Sequence, residues 1–165
     1  MSWYDWVTLI LIGAVTVIQT VRGIRAGGFG LTMFEAAGVV VAAAAATYFA
    51  HGLAGPLHAR ESVTMLALFI AFSFLAFIVA RWLFALTALS FQSLDGILSV
   101  LCGFVMAWAV ANMFLRIMMG SGGPETAEGI ASSPLAREVL QFQSWKSLMR
   151  TLIKVKAGSD FDPTE

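Results

Sequence analysis

The stretch VTMLALFIAFSFLAFIVA, Val63–Ala80, decides the fold class: its eighteen residues include no charge and only two hydroxyls, Thr64 and Ser73. As a helix it is about 27 Å long, close to the roughly 30 Å hydrocarbon core of a bilayer. A helix that is apolar around its whole circumference has no face for solvent, unlike the surface helices of water-soluble domains. Three further stretches share this character. Val7–Val21 is uncharged and follows the aromatic residues Trp3, Tyr4 and Trp6, which suit a headgroup region. Phe29–Ala50 is interrupted only by Glu35, and Ile97–Leu115 carries no charge. The pattern predicts an all-α integral membrane protein with four transmembrane helices plus a C-terminal amphipathic helix.

Composition agrees. Hydrophobic residues make up 59% and charged residues 12% of the chain, against about 45–50% and 25% in soluble domains. A net charge of zero gives no electrostatic footprint for nucleic acid. Cys102 is the single cysteine, so an intrachain disulfide or thiolate metal cluster is excluded, and its apolar setting reads as packing. The first 21 residues hold no Lys or Arg, Asp5 stands where a leader would be basic, and Val21 runs straight into Arg22. The first helix is therefore expected to be retained.

The breaks between spans are Arg22–Gly28, His51–Pro56 with its glycines and proline, and Leu89–Asp95. We divide the chain into a four-helix transmembrane domain (1–119), a flexible linker (120–132), an amphipathic tail helix (133–156) and an acidic, disordered end (157–165). Ser133 and Pro134 are expected to open the tail helix as N-cap and first helical residue. Leu135, Val139, Phe142, Trp145, Met149 and Leu152 repeat along one face, with Arg137, Lys146, Arg150 and Lys154 largely off it. Such a helix suits an anionic lipid surface, or it packs on the bundle or a partner; both readings stay open. Orientation stays open too: Arg22 and Arg25 favour a cytoplasmic first loop, whereas the basic tail favours the opposite sense.

Helices in lipid associate through close backbone approach and polar contacts, because burying leucine against leucine gains little there. Small residues recur at steps of three and four in three places. These are Gly13, Thr16, Thr20, Gly23 and Gly27; Gly38, Ala42, Ala46 and Ala50; and Asp95, Ser99, Gly103, Ala107 and Ala111, with Gly96 beside them. Helices one, two and four are expected to pack through these faces. The third, with Leu66, Phe69, Phe72, Phe74 and Phe77, is expected to be a lipid-facing or peripheral helix. An alternative is that alanine is simply common in such helices.

Charges at bilayer depth cost about 3 kcal/mol or more, so they normally have a partner or a task. Asp5, Arg22, Arg25, Glu35 and Asp95 are the candidates. Glu35 lies one helical step from Gly38, and the short first loop brings Arg22 and Arg25 to the same membrane side, so an ion pair is geometrically feasible. A proton or ion carrier is the rival reading, but no second acid or histidine stands at similar depth in another span. His-Glu-x-x-His, Gly-x-Ser-x-Gly and phosphate-binding loops are all missing from the sequence. We expect no catalytic residue, no metal site, no cofactor and no enzymatic activity.

The order of features resembles the colicin V production protein family. The carriers are Trp3 and Asp5; the Arg22-Gly23, Arg25, Gly27 and Phe29 turn; Glu35 and Gly38; Leu94-Asp95-Gly96 with Gly103; and Ser133-Pro134-Leu135. The second glycine of Gly27-Gly28 and the alanine-rich second helix depart from that pattern. The resemblance implies a multi-pass protein of the bacterial inner membrane, linked to colicin V-type toxin production or envelope homeostasis. Together with the small-residue faces and the tail helix, it points to action in the lipid bilayer through a membrane-protein partner or a homo-oligomer, and the zero net charge points to no nucleic acid. A subunit of an oligomeric transporter or channel, with Glu35 and Asp95 in a polar path and Asn112 beside them, is the alternative.

Overall fold

A computed structural model describes residues 2–26, 28–56, 59–87 and 94–142. These residues form helices and no strands. Four helices are long and apolar enough to cross a membrane: α1 (Trp3–Ala26), α2 (Gly28–Ala54), α3 (Glu61–Thr87) and α4 (Asp95–Ser121). Two short ones follow, α5 (Gly123–Ser132) and α6 (Pro134–Gln141). A helix of 27 residues is about 40 Å long, so its ends project past a hydrocarbon core of roughly 30 Å or the helix tilts within it.

The long helices alternate in direction, and their packing order is α1, α4, α2, α3. The two central helices, α4 and α2, each touch the other three long helices, two of them broadly and the third narrowly. The most extensive interface joins α2 and α3, so α3 is peripheral only in having one broad contact face. That corrects the expectation for its phenylalanines. Phe69 and Phe77 pack on the core formed by Ala36, Val39 and Met106, and Phe72 meets the ring of Phe49 edge-on at 6.2 Å. Phe74, with Ile70, Leu75 and Ile78, forms the exposed apolar face. Ile10, Val17 and Ile24 make a similar face on α1. Apolar surface on this scale needs a lipid covering rather than water.

Close approach holds the layers together. At Gly38 an added side chain would begin 2.8 Å from the Ala76 Cβ, and at Gly23 it would begin 2.6 Å from the Ser99 hydroxyl. Gly103 rests on the backbone of Thr16 and on Gln19, while Ala42, Ala46 and Ala107 are buried. Gly13 and Gly96 correct the sequence reading: both are exposed, and nothing lies within 4 Å of where a side chain would start. Gly27 lies outside the described residues. The buried face of α1 runs through Asp5, Thr8, Ile12, Gln19 and Gly23, sharing Gly23 with the expected stripe and leaving Gly13 outside. Polar residues, which seek the bundle interior in lipid, mark this face better than small ones do.

The segment expected to be a flexible linker is helical. α4 continues to Ser121, Gly123 turns the corner at φ +78°, and Pro124 sits at the start of α5. Proline suits that position because the amide it lacks has no partner in the first helical turn. Ile130 then anchors α5 as a fully buried residue beside Leu115, Ala136 and Val139. The tail helix begins at Pro134 as expected and ends at Gln141, where Phe142 adopts a left-handed conformation. The remainder of the expected tail helix and the acidic end, 143–165, lie outside the described residues.

Replacing Gly38 with Val should lower bundle stability by about 1–3 kcal/mol through overpacking, whereas Gly13→Val should change it by less than about 0.5 kcal/mol. Reversible unfolding in mixed micelles measures both, and equal effects would contradict this packing.

Candidate functional site

Three carboxylates, Asp5, Glu35 and Asp95, form the polar framework, and each engages an element other than its own helix. The N-terminus of a helix presents amides without intrahelical partners and the positive end of the helix dipole, so an anion is at home there. Asp95 occupies the first turn of α4 and also accepts the Phe29 amide of α2 at 3.2 Å. Gly28 makes this possible. It starts α2 at φ +68°, and the Asp95 carboxylate lies 2.5 Å from where a side chain would begin.

Asp5 does the same at the opposite membrane side. Its side chain is 1% exposed. Oδ1 accepts the amides of Leu135 at 3.0 Å and Ala136 at 3.4 Å, and Oδ2 accepts the amide of Ser2 at 3.0 Å. The first turn of α6 is thus capped from α1, about 130 residues away in sequence. Ser133 stands at the expected cap position, but its hydroxyl makes no capping bond; it donates to the Gly129 carbonyl and contacts the Ser2 hydroxyl. The other end of α6 is held from α4. Asn112 donates to the Val139 carbonyl at 2.7 Å and is itself oriented by Arg116 Nε at 2.8 Å. Between these clamps Ala136 and Val139 are fully buried with Ile12, Ala107 and Ala111. Tethered at both ends, α6 lies against α1 and α4, and the Phe142 ring reaches Trp108.

Glu35 centres a different arrangement. Seven residues from the start of α2 it lies about 10 Å along the helix, roughly 5 Å inside the hydrocarbon if the helix is centred. Oε1 pairs with Arg22 Nη2 of α1 at 2.9 Å, and Glu35 is 1% exposed against 38% for Arg22. The guanidinium also stands 5.9 Å from the Phe77 ring centre on α3 and 3.4 Å from Gln19 Oε1. Gln19 in turn donates to the Met106 sulfur of α4 at 2.9 Å. One node therefore ties all four long helices together. Arg25 is exposed near the same membrane side and contributes positive charge there.

Sequence reasoning anticipated the acids and the Arg22 pairing. It missed Gln19 and the role of Asn112 as a clamp on α6, although an amide inside an apolar run is itself a signal for an internal partner. Among the described residues no three of His, Cys, Asp and Glu come together to hold a metal ion. The fold and its buried polar network define a multi-pass membrane protein. No family model, no curated protein and no solved structure matches the chain.

The Arg22–Glu35 pair is asymmetric, since Arg22 can reach the interface and Glu35 cannot. Arg22→Gln leaves a buried carboxylate and should cost about 3–5 kcal/mol, with much of the loss restored in Arg22→Gln/Glu35→Gln. Glu35→Gln alone should cost less than Arg22→Gln; unfolding in micelles reads the order, and the reverse order would refute it. Separately, Asp5→Ala should cost about 1–2 kcal/mol. Hydrogen exchange should then quicken at the Leu135 and Ala136 amides while that of Val39 in α2 is unchanged.

Proposed function

We propose that this chain is a non-enzymatic protein of the bacterial inner membrane that supports colicin V-type toxin export or envelope homeostasis, acting through a membrane-protein partner or self-association. The observation that carries this reading is the use made of the acids at the helix starts. Asp5 binds two backbone amides of α6 and Asp95 binds one of α2, which is scaffold work, and Asp5 thereby fixes α6 where its exposed face carries Arg137. The order of motifs shared with the colicin V production protein family supports the same direction. A docked α5–α6 unit gives a partner a rigid surface, whereas an undocked one has to be ordered on binding at an entropic cost.

The transporter reading draws on one specific feature. Glu35 Oε2 is buried without a hydrogen bond among the described residues, a condition that suits a group able to take up a proton or cation. Reconstituted vesicles separate the two readings. Ion or proton flux that disappears in Glu35→Gln favours transport, and its absence in both proteins favours the scaffold. For the scaffold, Asp5→Ala in a strain lacking the chromosomal copy should insert normally yet complement toxin export or envelope integrity poorly. Full complementation would show that docking of α6 is dispensable.

A further inference from the structure

Two cavities share Arg116 in their linings. The first, about 510 Å³, lies where α3 starts and α4 ends, with Glu61, Ser62, Arg116 and Gln141 among its polar lining and Met65 and Met119 among its apolar lining. The second, about 430 Å³, is a groove between α2 and α4 walled by Ala43, Ala44, Tyr48, Ala109 and Phe142, again with Arg116 at its edge. The first therefore sits at helix ends, at headgroup level. The second extends along the apolar parts of two spanning helices.

The chemistry of the upper cavity is specific. Ser62 is 4% exposed, and its hydroxyl has no hydrogen-bond partner among the described residues. A buried hydroxyl left unsatisfied is costly, so turning it toward a polar group in the cavity gains a bond. Arg116 uses Nε on Asn112, and a guanidinium carries further donors suited to phosphate. Glu61 supplies the opposite charge on the same lining; its only ion-pair neighbour among the described residues is His51, at 3.7 Å. A lipid with a purely anionic headgroup would meet repulsion from Glu61. One bearing both a phosphate and an ammonium satisfies both sides, and its hydrocarbon chain has an apolar groove with small alanine walls to occupy.

We propose that these two cavities, adjoining at Arg116, bind one zwitterionic aminophospholipid, its phosphate at Arg116 and Ser62, its ammonium at Glu61 and an acyl chain in the α2–α4 groove. The site depends on the membrane placement of the fold and is independent of the toxin-export reading. Native mass spectrometry of the full-length protein in neutral detergent tests it, using equal amounts of phosphatidylethanolamine and phosphatidylglycerol with identical chains. The wild type should retain one phosphatidylethanolamine per polypeptide in preference to phosphatidylglycerol.

Arg116→Gln should weaken retention of both lipids roughly tenfold or more, and Glu61→Gln should remove the preference between them. Because Arg116 also orients Asn112 toward α6, Ala44→Trp provides a second route. Ala44 is exposed in the groove, so the indole blocks the chain path without entering the bundle core, and phosphatidylethanolamine retention should fall with helix content unchanged. Equal retention of both lipids by the wild type would overturn the proposal. So would a preference that survives Glu61→Gln, or wild-type retention in Ala44→Trp.

Discussion

A polar group buried away from water needs a partner within the protein, and this constraint organises the whole molecule. In a soluble protein the free amides at a helix start are met by solvent or by a local side chain. Here two of those starts are met by carboxylates from other helices. Asp95 serves α2 from α4, and Asp5 serves α6 from α1. Each acid also stands in the first turn of its own helix, so one negative charge offsets the positive ends of two helix dipoles. The arrangement makes burial of the acid and placement of the helix mutually dependent.

The Glu35 node extends the same logic from helix ends to helix flanks. Arg22, Gln19, Phe77 and Met106 gather around one carboxylate and bring in a side chain from every long helix. Small residues let the backbones approach at Gly38 and Gly23, but they do not choose partners by themselves. The polar contacts add that selectivity, because a helix rotated away from its place would leave Glu35 or Gln19 facing hydrocarbon. Framework and packing thus act at different points along the same interfaces.

The four spans were legible because length and uniform apolarity are local properties, visible in Val63–Ala80 without knowledge of any neighbour. The Arg22–Glu35 pair was legible because a short turn places its members on adjacent helices. Other features were not, for identifiable reasons. The glycine stripe on α1 found only part of the true face: Thr16 and Gly23 meet α4, whereas Gly13 meets nothing and Asp5, Thr8 and Gln19 carry the rest. Steps of three and four establish a stripe without saying which neighbour it meets. α5 was hidden because Gly122-Gly123 reads as a flexible break, whereas the structure uses it as a corner and holds the helix by Ile130. The cap on α6 was credited to Ser133 by adjacency. Nothing local distinguishes it from Asp5, whose carboxylate arrives from the far end of the sequence.

The link between α1 and the start of α6 is the most direct point at which to test this account. The Ser2 and Ser133 hydroxyls touch across it, so cysteines at both positions, in a Cys102→Ala background, stand within reach of a disulfide without large backbone movement. Mild oxidation in native membranes followed by a gel-shift assay should give a high yield of intramolecular crosslink, and adding Asp5→Leu should suppress it. A pair that stays unlinked in the membrane, or links equally well without the carboxylate, would contradict the claim that Asp5 holds α6 in place.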